Sequence, residues 1–196
     1  MLADSNNASF RDATIQQGTA DGGASPGADI ARLDSFKAIQ FGGPANYIDA
    51  AIATITNQAH VEPEIIDIGR ANGAVKAPEL YQSVRKHGRT TGHTIGVITD
   101  KSVSIWVSYP SSTQASKSAW FEDQIGITGA GAAPFSNGGD SGSLIVDAVG
   151  LQPIGLLFSG RAAGVTLANP PRFRDLGGAP GRLLCEASHL PGFVLS

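Results

Sequence analysis

A chain of 196 residues is long enough for one domain or two small lobes with genuine cores. Apolar residues make up 41% and charged residues 16%, with a formal net charge of −3. This balance gives no electrostatic reason to expect a nucleic acid or an anionic membrane as partner. No run approaches the roughly 18 apolar residues of a membrane span, and no basic stretch followed by an apolar run opens the sequence, so neither a span nor a signal peptide is expected.

The 25 glycines and 11 prolines call for many turns and favour short strands over long helices. The single cysteine, Cys185, excludes an intrachain disulfide, so the fold must rest on its core. Residues 1–29 are polar and glycine-rich, with a candidate strand at Ala13–Gln17 and a turn at Asp21-Gly22-Gly23. Ile30–Phe41 reads as one strand or two around Ser35, broken by Gly42-Gly43-Pro44. The alanines of Asp49–Ile55 suit a helix, but its Ile and Thr residues and its shortness predict a strand. Pro63–Pro78 reads as a connection that contains Ile65–Ile68 as a short strand. From Ser83 the pattern sharpens into strands at Ser83–Arg89, His93–Thr99, Val103–Tyr109, Trp120–Ile127, Ser143–Val146 and Pro153–Phe158. Strands at this spacing, with no amphipathic helix between them, predict an antiparallel barrel or sandwich. The tail after Asn169 offers no clean helical or strand period and is expected to be irregular.

Asn137-Gly138-Gly139-Asp140-Ser141-Gly142-Ser143 runs straight into the apolar Leu144-Ile145-Val146. Gly139, two residues before Ser141, lets the backbone turn so that the N–H groups of Gly139 and Ser141 point at one spot. Such a pair can hold the negative oxygen of a tetrahedral intermediate, as an oxyanion hole does. Gly142 keeps the approach to the serine open. A serine hydroxyl needs a base to take its proton and a carboxylate to orient that base. The candidate carboxylate is Asp49, which precedes a small apolar strand and would lie semi-buried. Phe158-Ser159-Gly160 reads either as a backbone edge on which a peptide pairs as an added strand or as a core Phe and a plain turn. No cofactor or metal is called for. Gly88–Gly92 lacks the Gly-Lys-Ser/Thr end of a phosphate loop, and Asp4, Asp12, Asp21 and Asp29 lack EF-hand spacing.

Gly139-Asp140-Ser141-Gly142 resembles the signature of trypsin-like (chymotrypsin-fold) serine peptidases. Val84–Gly96 resembles the Lys-x-Gly-Arg-Thr-Thr-Gly-x-Thr-x-Gly stretch of a bacterial subfamily of these enzymes. The resemblance covers roughly residues 1–169 and is strongest at 84–96 and 137–146. It implies an all-β fold of two antiparallel barrels, with 1–75 the remainder of the first barrel, 76–169 the second, and 170–196 an irregular tail. It also implies hydrolysis of peptide bonds through an acyl-enzyme, with Asp49 and Ser141 catalytic and a peptide or protein as substrate. Ser141 follows Asp49 by 92 residues, against about 93 in the chymotrypsin order.

The same order places a histidine about 45 residues before the aspartate, near position 4 here, and none stands there. Met1–Ala8 resembles the family segment just after its His-Val pair. The expectation is therefore a chain truncated just after its histidine and nearly inactive as given, with a non-catalytic peptide-binding module on the same scaffold as the alternative. His60, His87, His93 and His189 are all expected in surface or structural roles. Phe135 occupies the family position that often floors the specificity pocket, where it would favour an uncharged side chain. Asp140 is expected to be a structural carboxylate that fixes the oxyanion loop. A lone cysteine fits a reducing compartment such as the bacterial cytoplasm, and also an exported enzyme built without bridges.

Overall fold

The computed structural model describes residues 6–109, 116–160 and 164–171 and the backbone of 182–185 and 193–194; the His60 side chain lies outside that description. Strands dominate. In chain order they are β1 (Ala13–Ile15), β2 (Asp29–Phe36), β3 (Ala45–Asn46), β4 (Ala51–Ile55), β5 (Ser83–Gly88), β6 (Gly92–Tyr109), β7 (Lys117–Gly129), β8 (Leu144–Asp147), β9 (Pro153–Gly160), β10 (Thr166–Asn169), β11 (Arg182–Cys185) and β12 (Phe193–Val194). Short 3-10 turns occupy Thr19–Asp21 and Gln58–His60. Among the described residues no helix is long and apolar enough to cross a membrane.

The strands form two sheets. The second has the order β10-β9-β8-β5-β6-β7-β3, and β10 also pairs with β7 through Thr166↔Ile127, Leu167↔Gly126 and Ala168↔Ile125. That extra pairing closes six strands into an antiparallel barrel and leaves β3 as a short parallel edge on β7. The β-branched residues of these strands suit a pleated, half-buried surface. Their inward positions form a core of Val84, Ile98, Ile125, Ile127, Ile145, Ile154, Leu157 and Ala168, joined by Phe135 from the β7–β8 connection. Gly96 allows the Phe135 ring to approach, because a Cβ there would lie 2.6 Å from it.

The first sheet stays open, with the order β1-β2-β4-β11-β12. Its core is thinner: Ala31, Leu33, Ala51, Ala53 and Ile55. The two sheets meet where Ile48, Ala50 and Ile52 pack on Leu156 of β9. A closed second barrel beside an open first sheet agrees with the all-β, two-lobed expectation. The tail contributes β11, which pairs antiparallel with β4 from Arg182↔Thr54 to Cys185↔Ala51.

Two local expectations need correction. His93–Thr99 and Val103–Tyr109 are one strand, β6, whose register against β7 shifts between Ile98 and Ile105. Those bulges read as a gap in the sequence pattern. Ile65–Ile68 is a turn closed by an Ile65–Gly69 bridge, with Asp67 at φ +62°. Ile65 is apolar because it packs under Leu144 and Val146, not because it belongs to a strand.

Candidate active site

The segment before β8 is held by a dense set of local bonds. The Gly138 N–H donates to Asn137 Oδ1 (2.9 Å), and the Asp140 N–H to the Asn137 carbonyl (3.1 Å). The Ser143 N–H and hydroxyl both donate to the Asp140 carbonyl. Gly139 has φ +97° and Gly142 φ +87°, values that favour glycine. A Cβ on Gly139 would also meet Thr90 Oγ1 at 2.5 Å. The loop is tied to β9 by the Gly142 N–H on the Leu157 carbonyl (2.7 Å) and the Leu157 N–H on the Ser143 carbonyl (3.0 Å).

Ser141 is half-buried, and its hydroxyl donates to the Phe158 carbonyl at 3.4 Å. Among the described residues, the N–H groups of Gly139 and Ser141 meet no protein acceptor, whereas those of Gly138, Asp140, Gly142 and Ser143 all do. Ordered loops seldom leave backbone donors unused. Two such donors beside one hydroxyl can stabilise an anion.

Asp140 explains why the loop holds this shape. Its side chain is fully buried and accepts from the Thr90 N–H (2.8 Å), the Thr91 N–H (3.1 Å), the Thr91 hydroxyl (2.7 Å) and the Asn137 N–H (2.9 Å). The equally buried Lys86 ammonium stands 3.3 Å away and also donates to the Thr91 hydroxyl. Burial alone pushes the Asp140 carboxyl up, but these donors, with Thr91 first, hold it below the ordinary aspartate value. Gly88 is needed beside it, since a Cβ there would lie 2.4 Å from Asp140 Oδ1. The sequence reading missed Lys86, although a signal was present: the lysine shares the inward register of Val84 and Gly88 on β5.

Asp49 is fully buried at the junction of the two sheets. Tyr109, at the end of β6, donates its hydroxyl to Asp49 Oδ2 at 2.7 Å. Asn169, the last residue of β10, clamps the Asp49 backbone: Oδ1 accepts its N–H (3.0 Å) and Nδ2 donates to its carbonyl (2.9 Å). Both partners come from distant sequence and had no local signal. No hydrogen bond joins Asp49 to Ser141 among the described residues.

Phe158 is buried, Ser159 half-buried and Gly160 exposed. Ser159 and Gly160 pair with β10 on one side (Leu167↔Ser159, Thr166↔Gly160), whereas β8 reaches only to Leu156 on the other. The far edge of Ser159–Gly160 therefore carries no strand among the described residues. Phe135 lies in the barrel core with no exposed surface, and the Lys86 ammonium sits 5.8 Å from its ring centroid. Its neighbour Ser136 shares a hydroxyl hydrogen bond with Thr166 at 2.6 Å.

His87 Nδ1 lies 3.1 Å from Asp67, and His87 pairs across the hairpin with His93. Neither is bonded to Ser141. The His60 side chain and His189 lie outside the described residues. No group of three or more His, Cys, Asp or Glu among the described residues is placed to hold a metal ion.

No family model matches the chain, and no curated protein does. Among solved structures it is similar to Protease A of Thermobifida fusca, with 19% identity and a TM-score of 0.52 over 81% of this chain and 75% of that one. A serine protease specific for glutamic acid, which uses a histidine triad in substrate binding, matches with 19% identity and a TM-score of 0.54 over 79% and 75%. The chymotrypsin of Cellulomonas bogoriensis is 21% identical over 81% of this chain and 76% of its own, with a TM-score of 0.48. The closed barrel, the open sheet packed beside it and the agreement with the Thermobifida fusca and glutamic-acid-specific proteases together give the chain the all-β chymotrypsin fold.

Proposed function

We propose that this chain is built for hydrolysis of peptide bonds through an acyl-enzyme. The observation that carries the reading is the pair of unused N–H groups, on Gly139 and Ser141, flanking the half-buried Ser141 hydroxyl. In this scheme Ser141 Oγ attacks the scissile carbonyl carbon, and those two N–H groups stabilise the oxyanion. A histidine takes the serine proton and later delivers it to the leaving amine, while Asp49 orients the imidazole. The substrate lies along the open edge of Phe158-Ser159-Gly160 as an added strand. Phe135, which has no exposed surface, is proposed to bear on specificity only indirectly, through the core residues packed against it.

The base is proposed to be a histidine on sequence preceding Met1: His87 Nδ1 faces Asp67 at 3.1 Å, the exposed His93 is its register partner on the β5–β6 hairpin, and neither is bonded to Ser141. Without it, only the oxyanion donors and binding remain, worth roughly 10³–10⁴-fold over water in serine proteases. The reading is tested with a fluorophosphonate probe on the given chain and on the protein extended through its upstream reading frame. The extended protein should label at Ser141, lose the label in Ser141→Ala and cleave peptides. An upstream frame without a histidine, or an unlabelled Ser141 in the extended protein, overturns it.

A second reading, a non-catalytic peptide-binding module, is favoured by one observation: the described partner of the Ser141 hydroxyl is the Phe158 carbonyl and not a base. It predicts an extended protein that binds peptides yet neither labels nor cleaves.

A further inference from the structure

The outer face of the long β6–β7 hairpin carries a cluster that the proposed reaction does not use. Residues two apart on a strand share a face, so Trp120 and Glu122 project together from β7. Trp106 stands opposite Trp120 in the register of β6 and β7, with ring centroids 5.4 Å apart and planes at 51°. Tyr47 follows β3 alongside. The Glu122 carboxylate sits among these rings: Oε1 accepts from Trp120 Nε1 (2.9 Å) and Oε2 from the Tyr47 hydroxyl (3.3 Å).

The arrangement is pre-set by buried amides. Asn46 Nδ2 donates to the Trp120 carbonyl (3.0 Å), and the fully buried Gln124 donates through Nε2 to the carbonyls of Tyr47 (3.1 Å) and Glu122 (2.6 Å). Even so, Trp106 is 53% exposed and Tyr47 40% exposed. A cross-strand tryptophan pair stabilises a hairpin by itself, but that role requires neither a half-buried carboxylate between the rings nor so much ring left in water. Glu122 forms no ion pair among the described residues. Lys117, five residues earlier on β7 and of the opposite face, lies over the Phe41 ring, 5.4 Å from its centroid.

We infer that Tyr47, Trp106, Trp120 and Glu122 form a docking site for a lysine or arginine side chain of a polypeptide. The carboxylate supplies a counter-charge held in place by two neutral donors, and the exposed rings supply π surface that attracts a cation, tryptophan most strongly. The missing element is a positive charge, which a basic side chain brings. Burial of its methylene stem against the same rings distinguishes it from a bare ammonium ion. The site is independent of Ser141 chemistry and is tested by binding alone.

The test uses the chain's own fluorescence. Its only two tryptophans are Trp106 and Trp120, so any intrinsic tryptophan signal reports this site. The protein is titrated with a capped Gly-Ser-Lys-Ser-Gly peptide, its arginine and glutamine counterparts, and tetramethylammonium. The lysine and arginine peptides should give a saturable change about tenfold tighter than the glutamine peptide, weakening as salt is raised. Glu122→Gln, whose amide oxygen can still accept from Trp120 Nε1 while its NH2 donates to the Tyr47 hydroxyl, should erase the preference, and Trp106→Ala should weaken binding while Trp106→Phe retains part of it. Near-UV circular dichroism verifies that each variant is folded. Equal binding of lysine and glutamine peptides by the unmodified protein overturns the inference without recourse to any variant. An unchanged preference in folded Glu122→Gln, or tetramethylammonium binding as tightly as the lysine peptide, overturns it as well.

Discussion

At Asp140 four hydrogen-bond donors and one ammonium converge on a single buried carboxylate. The two members of the Lys86–Asp140 pair are not equally dependent on each other. If the lysine is lost, the carboxylate keeps the Thr90, Thr91 and Asn137 donors. If the carboxylate charge is lost, Lys86 keeps only the Thr91 hydroxyl and the Gly92 carbonyl, and an ammonium is left in the interior without a counter-charge. Removing one partner of a buried pair typically costs about 3–5 kcal/mol. Asp140→Asn should therefore fall within that range and Lys86→Met below it, as measured by urea unfolding. The reverse order would show that the loop hangs on the ion pair rather than on the hydrogen bonds. The motif makes Asp140 legible as a structural carboxylate, whereas Lys86 is legible as its counter-ion only once the buried face of β5 is known.

At the scale of elements, β8 ends in a second such node. Asp147 accepts from the N–H groups of Gly150 (2.6 Å) and Val149 (3.1 Å), from Lys76 Nζ (2.9 Å) and from Gln82 Nε2 (2.7 Å). It thus closes its own turn and pins the connection that leads into β5. The Gly150 N–H, ahead of Lys76, Gln82 and Val149, holds the carboxyl well below the ordinary aspartate value despite the opposing effect of burial. Because the folded pKa is the lower one, the stabilisation is complete above the unfolded value of about 3.9 and is lost as pH falls from there through the folded value. Hydrogen-exchange protection across residues 74–82, taken relative to the intrinsic amide rate at each pH, should hold steady from pH 7 to about pH 5 and fall below about pH 4. In Asp147→Asn the same segment should exchange quickly at every pH. An acid response that survives in that variant would assign it to another group. Strands of this scale were legible where burial alternates over several residues, as in Ser83–Gly88, or where an apolar run follows glycines, as in Leu144–Asp147. β3 with two residues and β10 with four carry too little pattern to be read, and they form because both fill the edge of β7 that β6 leaves open, β3 at Trp120–Phe121 and β10 at Ile125–Ile127. Tyr109 and Asn169 stand 60 and 120 residues from Asp49, so only tertiary pairing brings them to it.

For the molecule as a whole, the two sheets are unequal partners. The closed barrel buries Ile, Val, Leu and Phe side chains, while three of the five residues in the first sheet's core cluster are alanines. Apolar burial stabilises at roughly 25 cal/mol per Å², so the first sheet depends on its seam with the barrel. Among the described residues that seam includes Leu156 packed on Ile48, Ala50 and Ile52, the Asn169 clamp and the Tyr109 hydroxyl on Asp49, and the Arg89–Asp21 pair at the rim. Asn169→Ala removes both halves of the clamp and leaves a buried N–H and a buried carbonyl on Asp49 without that partner, at about 1–3 kcal/mol per unsatisfied group. Domains open in cooperative units of differing stability, and this loss should fall on the weaker one. In native-state hydrogen exchange of Asn169→Ala, amides of β2 and β4 should lose protection while those of β5 and β6 retain it. Equal loss in both sheets would mean that the lobes unfold as one unit. Equal retention would mean that the apolar seam and the Tyr109 hydroxyl hold Asp49 in place without the clamp. The same clamp bears on the proposed chemistry, because Asp49 reaches the junction only if the first sheet stays docked, so Asn169→Ala in the extended protein should slow labelling of Ser141 without altering the loop that carries it.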